Sequence, residues 1–204
     1  MRTKRMNLEA GNSQRFQIHR NNMQTVISTV FVLLLMVFGS LPLSAQVDSN
    51  NGSEMKFTIP QSAEAETEEI VGMMKHATQL SDKTGEAAKA VAEVFYPHVA
   101  KEVKYVLPPL GLLQQLSSGN FSEEMKQVLP ITDELKKELP EMLAEHKQIV
   151  AALEILITHA TAENHPEVVE FAQKLILHAQ AEEEVTYPTG ILIGEYIKLK
   201  LKKE

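Results

Sequence analysis

The feature that most constrains this chain is a spacing that occurs twice. His98 is followed by Glu102 and then Pro108, and His178 by Glu182 and then Pro188. On an α-helix, residues four apart share a face and lie about 6 Å apart along the axis. Each copy therefore aims an imidazole and a carboxylate in the same direction. A buried cluster of such groups is costly unless something offsets its charge. Two copies thus point to helices packed around a shared polar centre, a geometry suited to holding a metal ion inside a bundle.

Composition supports helices. The 204 residues are rich in Ala, Leu, Glu, Lys and Met, aromatics make up 5%, and there is no tryptophan. A β-sandwich would show more alternating Val, Thr, Tyr and Trp. The absence of cysteine excludes disulfides, zinc–thiolate sites and thiol catalysis.

Residues 1–45 read as a targeting segment. Arg2, Lys4, Arg5, Arg15 and Arg20 precede an apolar run from Val26 to Phe38. Gly39 and Pro42 break that run, and Ser44-Ala45 offers a small-residue cleavage site. The run has signal-peptide length, which implies export to a periplasm or the cell exterior. The alternative is an uncleaved membrane anchor over residues 26–43. Residues 46–61 are polar and read as a linker, leaving 62–200 as the folded domain. With 1–45 set aside, 15 basic and 26 acidic residues remain, a net of −11. That balance argues against nucleic acid or an anionic membrane as partner.

Four helical segments follow the linker. Helix A is expected over 62–80 and helix B over 86–107, ended or bent by Pro108-Pro109. A longer connection, with a short helix near 122–129, leads to helix C. Thr132 or Asp133 would cap helix C, which runs to about Thr158 with a kink or restart at Pro140. Helix D is expected over 167–197, interrupted near Pro188 to Gly190. Residues 66–108 and 145–188 look like two copies of one hairpin. Two hairpins joined by a longer crossing give an all-α, antiparallel up-down four-helix bundle.

Counting from the turns indicates which residues share a level. His178 lies 16 residues beyond the C–D turn and His146 lies 16 before it. His146, His178 and Glu182 therefore converge. The corresponding level partner of His98 on helix A is Glu66, with Glu69 next. His76 and His159 lie near helix ends and are not expected to bind metal. Glu183 and Glu184 are expected at solvated positions or behind the ligands. Tyr105 and Tyr187 are read as packing residues, with lining the site as the alternative. Imidazole and carboxylate without thiolate suit iron or manganese.

The segments Glu145-His146-Lys147, His178-x-x-x-Glu182-Glu183-x-x-x-Tyr187-Pro188 and His98-x-x-x-Glu102 resemble the hemerythrin-like (HHE cation-binding) family over roughly residues 60–200. The resemblance implies a four-helix bundle with a non-haem di-iron centre whose two carboxylates bridge the irons. Helices B, C and D match the family pattern. Helix A departs from it, with Glu66 where a histidine is usual, and Pro97 before His98 is a second departure. These departures leave a mononuclear site open beside a di-iron one. The implied role is binding of O2 or NO, sensing or iron handling, more a binding protein than an enzyme. A di-iron oxidase or peroxidase is the enzymatic alternative. It is disfavoured because the chain has no E-x-x-H, the motif of ferritin-like enzymes. A metal-free structural bundle is the third reading. The sequence leaves the oligomeric state open.

Overall fold

A computed structural model describes residues 57–202. The signal-peptide and anchor readings, and residues 46–56 of the linker, lie outside the described residues. The described chain is helical, with no strand among the described residues. Helix α1 spans Gln61–Ala77 and α2 spans Lys83–Lys101. After a π-helical turn over Glu102–Val106 come two short helices, α3 (Leu107–Leu110) and α4 (Leu113–Ser117). A 3-10 stretch over Glu123–Val128 leads into α5 (Leu129–Ala162), and α6 spans Pro166–Ala181. A second π-helical turn, Glu182–Thr186, precedes α7 (Tyr187–Leu201). The four long helical stretches form a helical bundle in which α5 packs against α2, α6 and α7. Among the described residues no helix is long and apolar enough to cross a membrane.

Local chemistry accounts for the boundaries. Asp82 caps α2, its side chain accepting from the Gly85 N–H at 3.0 Å. Gly85 is required there, because a Cβ would overlap the Leu80 carbonyl. Helix α5 begins three residues before the expected cap at Thr132, because Pro130 in its first turn continues directly from the 3-10 stretch. Of the kink or restart expected at Pro140, the restart does not occur: α5 continues as helix through it.

The two π turns are the main departure from regular helix. The Leu107 N–H bonds to the Glu102 carbonyl, and the Tyr187 N–H bonds to the Glu182 carbonyl, each five residues back. Pro108 and Pro188 follow immediately. A proline donates no N–H, and its ring clashes with the carbonyl four residues earlier. Widening the preceding turn relieves that conflict and lets the helix continue. The interruption expected near Pro188 to Gly190 thus falls earlier, over Glu182–Thr186.

Among the described residues the apolar core has three parts. The largest lies between the long helices and includes Ile70, Met74, Phe95, Leu153, Phe171 and Leu175. A second contains Val106, Leu135, Met142 and Tyr187. The third lies around Leu112, Met125, Val128, Ile193 and Ile197. Here Gly194 gives α7 its close approach to Thr132, whose hydroxyl a Cβ would strike. At about 25 cal/mol per Å² of apolar surface buried, such a core supplies the main drive to fold. The polar centre borders the first and second parts.

The turns at one end of the bundle are tied together. The Glu163 carboxylate accepts from the Lys83 N–H (3.2 Å), the Thr84 N–H (2.8 Å) and the Thr84 hydroxyl (2.5 Å). One turn thereby caps the helix beginning at the other. His165 adds a contact across the same gap, its Nε2 lying 2.8 Å from Asp82.

Candidate metal centre

His98, Glu102, His146 and Glu182 are all buried, and one ligand atom from each lies within 4.8 Å of the others. His98 and Glu102 come from α2 and its π turn, His146 from α5, and Glu182 from the π turn that follows α6. His98 Nε2 lies 3.0 Å from Glu102 Oε1. His146 Nε2 lies 3.5 Å from Glu182 and 3.9 Å from Glu102. His178 Nε2 lies 3.0 Å from the other oxygen of Glu182. Its side chain is 19% exposed, so it stands at the edge of the cluster.

Each of the three imidazoles has a carboxylate behind it. His98 Nδ1 lies 2.8 Å from Glu145, His146 Nδ1 lies 3.0 Å from Glu183, and His178 Nδ1 lies 3.3 Å from Glu66. A carboxylate on Nδ1 orients the ring and makes Nε2 a stronger donor, as behind many metal-binding histidines. Glu145 is in turn held by Lys101 at 2.7 Å, which also meets Glu141 at 2.6 Å.

Glu66 therefore sits behind His178, on the side away from the cluster, rather than beside His98. The carboxylate behind His98 comes from α5 instead. Glu183 bonds His146 from a partly exposed position, consistent with a place behind the ligands. His76 and His159 do not join the cluster.

Charge organises the site. Burial alone would lower the pKa of His146, but the carboxylates of Glu102, Glu182 and Glu183 overcome this and raise it to about 10. Burial likewise opposes protonation of His178, and Glu182 with the charges of Glu102 and Glu66 raises it to about 9. Burial raises Glu182, and the neighbouring negative charge of Glu102 adds to that. Glu102 moves the other way, because its hydrogen-bonding neighbours His146 and His98 outweigh its burial. Two buried carboxylates facing three imidazoles thus attract positive charge, either protons or a cation.

Tyr187 is fully buried in the same place. Its hydroxyl donates to Glu102 Oε1 at 2.6 Å and lies 3.0 Å from His146 Nε2 and 3.2 Å from His98 Nε2. Residues five apart on an α-helix point about 140° away from each other. The π turn between Glu182 and Tyr187 removes that divergence, so both side chains reach the cluster. Regular periodicity assigns Tyr187 to packing. The signal that could have placed it was Pro188, which forces the preceding turn to widen.

A cavity of about 10 Å³ lies among the His98, His146, His178, Glu102 and Glu182 side chains, about the room one water-sized sphere needs. A groove of about 340 Å³ between α1, α3 and α6 reaches Glu66, His178 and Glu182 from outside. No family model, curated protein or solved structure matches the chain.

Proposed function

We propose that this protein is a hemerythrin-like metal-binding bundle, with its helices in up-down order, holding a non-haem iron centre. The observation that carries the reading is the set of three inward Nε2 atoms, each with a carboxylate on its Nδ1, facing two buried glutamates. His98, Glu102, His146, His178 and Glu182 would hold one or two ions, with Glu66, Glu145 and Glu183 orienting the imidazoles. Nitrogen and carboxylate donors without thiolate suit iron, and manganese fits the same set. The centre would bind a small diatomic such as O2 or NO, or serve in sensing or iron handling. The groove beside His178 offers a route from solvent. Export to a periplasm or the exterior is part of the proposal and rests on the pattern in residues 1–45.

The test is metal analysis and an ultraviolet–visible spectrum of protein purified in air and reconstituted with ferrous iron. Iron at one or two ions per chain supports the reading. No bound metal after reconstitution overturns it and leaves a metal-free structural bundle. One observation favours that second reading: every buried side-chain nitrogen and oxygen among the described residues already has a hydrogen-bond partner.

A further inference from the structure

Tyr187 breaks the likeness between the two halves of the site. Both H-x-x-x-E copies continue through a π turn to a proline, and the residue before that proline is Leu107 in one copy and Tyr187 in the other. Both are buried. At the equivalent position of the first copy a purely apolar leucine is buried, so burial before the proline does not by itself call for a hydroxyl. A hydroxyl is also the kind of group that is costly to bury without a partner.

The acceptor-capable atoms around that hydroxyl outnumber its hydrogen. Three acceptor-capable atoms converge on the phenolic oxygen: Glu102 Oε1, His98 Nε2 and His146 Nε2. A phenol has one proton to give. Glu145 and Glu183 occupy the far Nδ1 atoms of the two imidazoles, which leaves both Nε2 atoms, the carboxylate oxygen and the phenolic oxygen converging from three helices on one point, an arrangement that a single cation satisfies.

The spacing agrees. An octahedral ion with ligand bonds of about 2.1 Å places neighbouring donors about 3.0 Å apart. The phenolic oxygen lies 2.6, 3.0 and 3.2 Å from the three donors, and His98 Nε2 lies 3.0 Å from Glu102. We propose that Tyr187 is itself an oxygen ligand of the metal, joining His98, Glu102 and His146 around one ion. This rests on the reading that the cluster holds a metal. On coordination the phenolic O–H bond breaks, its electron pair bonds the ion and the proton passes to solvent. The histidine and carboxylate count thus understates the ligand set by one oxygen.

The experiment is visible absorption and resonance Raman spectroscopy of the full chain loaded with ferrous iron and oxidised in air. A phenolate bound to ferric iron gives a charge-transfer band in the visible, and excitation in that band enhances tyrosinate ring modes. The expected result is that both are present in the unaltered protein and in Tyr105→Phe. Both are lost from whatever iron Tyr187→Phe retains. An iron-loaded unaltered protein without tyrosinate modes overturns the assignment while leaving the metal reading intact, and that measurement needs no variant to fold. Tyrosinate modes that persist in iron-loaded Tyr187→Phe also overturn it. Failure of the unaltered protein to take up iron is a different outcome and removes both readings together.

Discussion

Freed of metal by a chelator, the protein should lose stability as the pH rises from 7 to 10. His146 and His178 have pKa values of about 10 and 9 in the folded chain, against about 6.5 in the unfolded one. Groups with raised pKa values stabilise the fold fully below about pH 6.5, and the contribution fades as pH climbs through the folded values. Each tenfold difference in proton affinity is about 1.4 kcal/mol. Taken separately, His146 would contribute about 5 kcal/mol and His178 about 3 kcal/mol. Both draw on the one charge of Glu182, so the two cannot simply add, and a loss of about 3–4 kcal/mol is expected. For a domain of this size that is about 10 °C in Tm. Urea unfolding of the chelated protein at a series of pH values measures it, with the midpoint falling and the m value constant. His146→Asn should start less stable at pH 7 and fall less by pH 10, which separates the imidazole from alkaline effects elsewhere. A chelated protein as stable at pH 10 as at pH 7 would refute the idea that positive charge on these imidazoles holds the site.

Other outcomes follow from individual contacts. His146→Ala and Glu182→Ala should abolish metal binding, whereas His76→Ala should leave the metal content unchanged; elemental analysis of the purified variants decides. Glu163→Ala removes the acceptor for two backbone N–H groups and a hydroxyl. It should lower the midpoint of urea unfolding without changing iron per chain. Gly194→Ala drives a methyl group into Thr132 and should cost about 1–3 kcal/mol. Adding Thr132→Ala should recover part of that loss, and no recovery would mean that the strain lies elsewhere.

The sequence showed the site through its regular helices and hid it where they are irregular. His98 with Glu102, and His178 with Glu182, could be paired because four residues is nearly a whole α-helical turn. His146 could be placed by counting back from a turn that the structure has at Glu163 to His165. Glu66 does not point into the centre: it is half-exposed and meets His178 from outside, because α1 also packs against α6. Tyr187 escaped because the π turn changes phase without leaving a periodic trace. Glu145 escaped for a different reason. It stands beside a buried residue in sequence, where a solvated carboxylate is the ordinary expectation, and only the packing of α5 against α2 brings it behind an imidazole. Glu183, expected to be solvated or behind the ligands, lies behind His146.

Lys101 makes the two sides of the centre electrically unequal. It neutralises much of the charge of Glu145 behind His98, through contacts to Glu145 and Glu141. Among the described residues, no lysine or arginine forms an ion pair with Glu183 or Glu66, the carboxylates behind His146 and His178. Glu183 and Glu66 are screened by water instead, their side chains being 40% and 50% exposed. The charge behind His98 is thus offset by a fixed cation, and the charge behind His146 and His178 by mobile solvent. One lysine gives a nearly repeated site an electrostatic direction.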